Sequence, residues 1–315
     1  MKSSESDLVD DIIQDELPAH TMPPRDRFLP WHRVKKEFIR RNQWNELTAR
    51  MIKRYWRQQL HEPELAWTLD ENQDALAPVN LPPDVTLERT LKCLVIPGED
   101  LLDVRALWRD INGLNCHIRY LGFNESHGSA QQGTRIHIAN NAVRSLLRVS
   151  PDSCVIPDRF EAIQSNESQA YRYLKNYGPY HVVNLDLCGS MFPNTEKDDS
   201  EYYRALNWLL AYQFENQRCE WLLFVTTMVK PAVVHTERMN TLCKPTRENV
   251  KNHDDFARKL TAFLPEGAFG EAGVPIDLKS FTSEQIINLF GVAFGKWLIS
   301  LCQKALLPTF VWVAG

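Results

Sequence analysis

Seven cysteines are scattered over the 315 residues, at Cys93, Cys116, Cys154, Cys188, Cys219, Cys243 and Cys302, and no two form a CxxC pair. An odd, unpaired set excludes a disulfide framework and a zinc knuckle, and it points to reducing surroundings, the cytoplasm. No two histidines stand at HxH or HxxxH spacing, so no helical metal-ligand pattern is present and no metal is expected. A strong net charge is missing as well: the formal value is −4, which excludes a global field aimed at nucleic acid. No internal repeat or low-complexity tract occurs, and the acidic, polar start does not read as a signal peptide. The longest apolar run, Ile286–Cys302, is interrupted by Asn288 and Lys296. It reads as a buried helix shorter than a membrane span, so no membrane partner is expected.

What is present is uneven. Glu5, Asp7, Asp10, Asp11, Asp15 and Glu16 make the start acidic, and Pro18, Pro23, Pro24 and Pro30 keep it from folding regularly; residues 1–30 read as a flexible acidic tail. The next segment reverses the sign. Arg33, Lys35, Lys36, Arg40, Arg41, Arg50, Lys53, Arg54 and Arg57 are opposed only by Glu37 and Glu46. Trp44, Leu47, Met51, Ile52, Tyr55 and Trp56 fall on one face of a helix over about 34–60, which predicts a core-facing stripe with a basic outer side. Three readings stay open: a solvated basic face, a nucleic-acid contact, or a patch masked by the acidic tail. In the second, Arg33, Lys35, Lys36, Arg40 and Arg41 neutralise phosphates of RNA or DNA, and Trp31, ahead of the helix, stacks on a base. Pro63, Pro78, Pro82 and Pro83 mark a linker, so residues 31–87 form a basic helical extension and linker.

From residue 88 the pattern alternates. Short apolar runs at 91–96, 118–123, 154–156, 182–187 and 221–229 are separated by helical spacing at 100–111, 138–149, 169–177 and 202–217. Further helices are predicted at 252–263 and 283–305, and a closing strand at 309–313. The class is α/β: a Rossmann-like, mostly parallel sheet with helices on both faces over 88–315, plus a helical N-terminal extension. In such sheets ligands bind outside the carboxyl ends of the strands. There the chain places Pro97-Gly98-Glu99-Asp100, Asn124-Glu125, Pro157-Asp158 and Asn184-Leu185-Asp186. Asn184 and Asp186 alternate on one strand and so share a face. Asp100 is also well placed to cap the next helix. Cys188 reads as a buried structural thiol, lacking an adjacent activating base.

The order of elements with these strand-end motifs resembles the class I S-adenosylmethionine-dependent methyltransferase superfamily, with one glycine in the first turn where the family has two or three. The resemblance implies a cofactor, S-adenosylmethionine, held by Gly98, Glu99 and Glu125 with Asp158 near its adenine. It implies that Asp186 and Asn184, in the place of an Asp-Pro-Phe/Tyr-Gly motif, position an acceptor amine, and that the substrate is nucleic acid. The same resemblance allows a catalytically inactive subunit of that fold. Such a subunit would serve in binding or assembly with a protein partner, a host-defence system being one setting.

Overall fold

The computed structural model describes residues 34–58, 89–114, 116–125, 130–187, 189–192, 201–232, 234–262, 264–265, 268–269 and 276–306. The tail over 1–30, the linker, the expected strand at 309–313, Trp31, Arg33 and Cys188 lie outside the described residues. Five strands, β1 (Arg89–Val95), β2 (Cys116–Phe123), β3 (Cys154–Ile156), β4 (Val182–Asp186) and β5 (Leu222–Thr226), form one parallel sheet in the order β3-β2-β1-β4-β5. The α/β, Rossmann-like class expected from the alternation is therefore observed.

Register follows from burial. Leu91 pairs with Ile118, Cys93 with both Tyr120 and Val182, and Val95 with Gly122 and Asn184. All five residues of β4 are buried, as a central parallel strand requires. The strand order reverses between β1 and β4, and that switch point sets where a ligand crevice belongs.

The chain divides into two compact units. The first comprises Met1–Arg159, Arg172–Leu185 and Gln217–Phe224. It holds α1 (Val34–Ile39), a π-helical turn (Arg40–Asn45) and α2 (Glu46–Gln58), followed by α3 (Leu102–Ile111), α4 (Ala130–Arg144) and α5 (Gln169–Tyr177), the last from Arg172 onward. One face of its sheet segment carries Leu91, Cys93, Val95, Ile118, Tyr120 and Val182. This face is packed under Met51 and Ile52 of α2, Val104 and Leu107 of α3, and Ile136 and Val143 of α4. The Tyr120 hydroxyl, sealed in that layer, donates to Asn140 Oδ1 at 2.7 Å and fixes α4 in place. Leu47, expected in the apolar stripe, is 45% exposed instead. The inward positions there are taken by Asn45 and Thr48, which are buried in line with Ile52, and Leu47 falls to the flank of that face.

The second unit comprises Phe160–Tyr171, Asp186–Asn216 and Val225–Gly315, with α6 (Glu201–Asn216), α7 (Thr236–Asn252), α8 (Asp254–Leu260) and α9 (Ser283–Leu306). Ile286, Leu289, Phe290, Ala293 and Trp297 form the inward stripe of α9. Its aromatics close on α6 and the loop before it: Trp297 on Tyr203 at 4.9 Å and Phe290 on Phe192 at 6.3 Å between ring centroids. α9 matches the helix predicted at 283–305 to within a residue, and its span Ser283–Gln303, expected to fall short of a membrane span, is long and apolar enough to cross a membrane.

Two helices depart from expectation. α4 begins at Ala130, eight residues before the predicted start, where Gln, Gly and Thr mimic a loop. α7 was not expected, because its polar sequence contains Pro245.

Candidate functional site

The carboxyl ends of β1, β2 and β3 meet in the first unit. After Val95 the chain turns through Pro97-Gly98-Glu99-Asp100, with Leu101 N–H donating to Gly98 O at 3.1 Å. Leu101 is fully buried at φ 50°, ψ 38°, the left-handed region, and stands at the cap position of α3 with no side-chain cap. Asp100, expected to cap the helix, does not; its carbonyl accepts from Arg105 Nε at 2.9 Å. A leucine held there costs on the order of 1–3 kcal/mol, and such strain collects where a turn is shaped for a purpose.

Neighbouring strands hold this turn. Asn124 Nδ2 donates to Pro97 O at 2.7 Å, and Asn124 N–H to Ile156 O at 3.2 Å. Gly122 lies beneath it: a Cβ there would stand 3.1 Å from both Pro97 Cγ and Val155 Cγ2. The proline therefore packs onto β2 only because β2 has a glycine at that point.

Glu99 is 7% exposed, and its Oε2 is buried with no hydrogen-bond partner. The nearest cation is Arg135 of α4, whose Nη1 lies 3.9 Å away. Glu125 at the end of β2 is more open and pairs with Arg159 Nε at 2.7 Å. Asp158 is next to that arginine and accepts its backbone N–H at 2.8 Å. The structure thus brings Gly98, Glu99, Glu125 and Asp158 to one strand-end rim, each carboxylate beside an arginine or its backbone. Asn124, Arg135, Arg159 and the strained Leu101 were missed. Asn124 was legible as the polar neighbour of Glu125 and Arg159 as that of Asp158, whereas Arg135 comes from α4 and carries no local signal.

Asn184 and Asp186 are each only 6% exposed. Asn184 lines a small cavity of about 20 Å³, large enough for one water, with Thr48, Asn45, Cys93, Val95 and Asp103. Its Oδ1 has no hydrogen-bond partner. Trp44 closes the cavity and lies 6.0 Å from the Phe224 ring, as expected of a core aromatic. In the second unit, the exit from β4 is tied to the exit from β5: Leu187 N–H donates to Thr226 O and Met228 N–H to Gly189 O, both at 2.9 Å.

The basic helix is split by its π-helical turn. Arg40 is 2% exposed and donates through Nε to Asp103 Oδ1 at 2.5 Å. In an α-helix Asn45, five positions on, would point about 140° away from Arg40. The wide turn lets both face inward, and Asn45 Nδ2 donates to Asp110 Oδ2 at 2.6 Å. Glu37 joins the network through Arg109 at 3.3 Å. Lys35, Arg41, Arg50 and Lys53 remain exposed and Lys36 is half-buried.

The family model described as PP_RS20740-like matches residues 25–311, so the chain belongs to the PP_RS20740-like family. No curated protein and no solved structure matches it.

Proposed function

We propose that this family member is a binding component on a Rossmann-like sheet of the methyltransferase type. Its strand-end rim takes a nucleoside ligand that bears a free amino group, of the S-adenosylmethionine class. The observation that carries this reading is Glu99, a carboxylate buried in the turn after β1 whose Oε2 has no hydrogen bond and meets Arg135 only at 3.9 Å. Leaving such an atom unmade is costly, and an ammonium donor would satisfy it through a charge-assisted bond. In this reading Gly98 lends backbone room and Glu125 accepts from ribose hydroxyls, in competition with Arg159. Asp158 sits beside the base. S-adenosylmethionine, when bound, supplies an activated methyl group.

Methyl transfer to nucleic acid is the second reading. The exposed cations Lys35, Lys36 and Arg41 favour it, since they suit phosphates of RNA or DNA. In it Asn184 and Asp186 would hold the acceptor amine. Their burial, and the water-sized cavity at Asn184, weigh toward binding without catalysis. A nucleic-acid or protein partner at the basic face, in the cytoplasm, belongs to the same proposal.

Calorimetric titration of the full chain with S-adenosylmethionine tests it. The parent should bind, and Glu99→Gln should weaken binding at least tenfold. A transfer assay with labelled cofactor and mixed DNA and RNA should give no labelled product. Absence of heat and of any thermal shift at millimolar ligand would remove the ligand-binding reading. Labelled nucleic acid would replace it with the enzymatic one.

A further inference from the structure

The opposite end of the sheet carries charge without a counterpart. Lys92 of β1 and Arg119 of β2 are register partners, so their side chains leave the same face side by side. Both are half-buried. Among the described residues no carboxylate lies within ion-pair distance of either, although the sequence has 40 acidic residues to supply one. Like charges placed opposite each other on paired strands destabilise a sheet. The effect registers in Lys92, whose ammonium is held below its usual range by burial and then by Arg119.

The surroundings are built for an acceptor-rich guest. Lys92 Nζ donates one N–H to Gly178 O at 3.4 Å, past the end of α5, and an ammonium has two more. Arg119 lays its guanidinium 4.3 Å over the Tyr177 ring, which holds the group's plane, and its Nε is buried with no hydrogen-bond partner. His181 is level with Lys92 and accepts that residue's backbone N–H on Nδ1 at 3.0 Å, so the proton of the neutral ring sits on Nε2. Asp152, level with Arg119, takes the Tyr177 hydroxyl on its backbone carbonyl.

We propose that Lys92 and Arg119, with the Tyr177 ring as a platform, form a binding site for a phosphate-class oxyanion at the amino ends of β3 and β4. The site is separate from the strand-end rim and stands whether or not that rim binds a nucleoside. A guanidinium and an ammonium match phosphate as fork and point charge. The phosphate has two sources, the free ion and the phosphoryl group of a nucleotide.

The test is thermal unfolding of the full chain against inorganic phosphate and, in a parallel arm, adenosine monophosphate, with sodium chloride matching ionic strength. Lys92→Met and Arg119→Met are run beside the parent. The parent's Tm should rise by roughly 2–4 °C at ten times the dissociation constant, beyond the chloride control. Neither variant should show the rise. A shift that appears at lower nucleotide than phosphate concentration assigns the nucleotide as source, and equal shifts assign the free ion. No phosphate-specific rise in the parent overturns the proposal, and so does a rise that survives in either folded variant. Should one variant fail to fold, the other decides.

Discussion

Replacing Arg40 by Met keeps the length and apolar stem of the side chain but strips the countercharge from Asp103. In the folded chain Asp103 is 8% exposed and receives Arg40 Nε at 2.5 Å. Breaking a buried pair by removing one partner costs about 3–5 kcal/mol, because the remaining charge has lost its water and gained nothing. Two features place this case at the lower end. Asp103 sits in the first turn of α3, where the helix N–H groups favour a carboxylate by roughly 0.3–1 kcal/mol. Asp103 also lines the cavity of about 20 Å³, so one water can reach it. The expected loss is therefore about 3 kcal/mol. With an m-value on the order of 3 kcal/mol/M in urea, the midpoint falls by about 1 M at unchanged slope. The double variant Arg40→Met/Asp103→Leu removes both charges and should return to within about 1 kcal/mol of the parent or exceed it. Urea unfolding followed by circular dichroism gives all three values. A single variant within about 0.5 kcal/mol of the parent, or a double variant no better than the single one, would refute the claim that this pair fastens the N-terminal helix.

Three further outcomes follow from other parts of the molecule. Burial, then the Lys92 charge, pushes His181 down to about 4 from 6.5. The unfolded chain therefore takes up the proton first, and stability present above pH 6.5 falls away toward pH 4 by about 3 kcal/mol. In non-phosphate buffer His181→Gln should flatten that limb, and an unchanged slope would assign the acid loss to other groups. Gly122→Ala puts a methyl 3.1 Å from Pro97 Cγ and should cost about 1–3 kcal/mol. It should also shift Glu99; if both stability and ligand affinity stay at parent values, the Pro97 contact does not set the turn. Cys93, Cys116 and Cys243 are buried, and burial pushes Cys93 far up and Cys243 up to about 12. Mass spectrometry after thiol labelling of native protein should find these three unmodified and should find them modified only in denaturant.

The strands were readable because a buried parallel strand is a short apolar run closed by a turn. Val182–Asp186 and Arg89–Val95 fall within a residue or two of their predicted bounds. The same alternation implies that they run parallel, but their order around β1 is a property of the crossovers and comes from the structure alone. The rim was readable in part: position after a strand is a local property, so Glu99, Glu125 and Asp158 stood out, and the structure puts them at one edge. What each faces was not readable. Arg135 and Arg159 come from separate elements, and the partner of Arg40 lies 63 residues away. Charge counting placed Arg40 among the outward cations, because a helical wheel assumes an even 3.6-residue repeat that the π-helical turn breaks. α7 was missed for a related reason, since Pro245 is tolerated inside a helix that otherwise shows weak patterning.

The cavity beneath the N-terminal helix also has a history within each round of synthesis. Its wall is assembled from Trp44, Cys93, Asn184 and Phe224, so the last piece is made 180 residues after the first. At about 5–20 residues per second, the ribosome delivers Phe224 roughly 9–36 s after Trp44. During that interval the cavity lacks part of its wall, whereas Asp103, the partner that takes Arg40 out of water, follows it by only 63 residues. The ion pair between α3 and the N-terminal helix can therefore form before β4 and β5 exist, and those strands close over a helix that is already fastened.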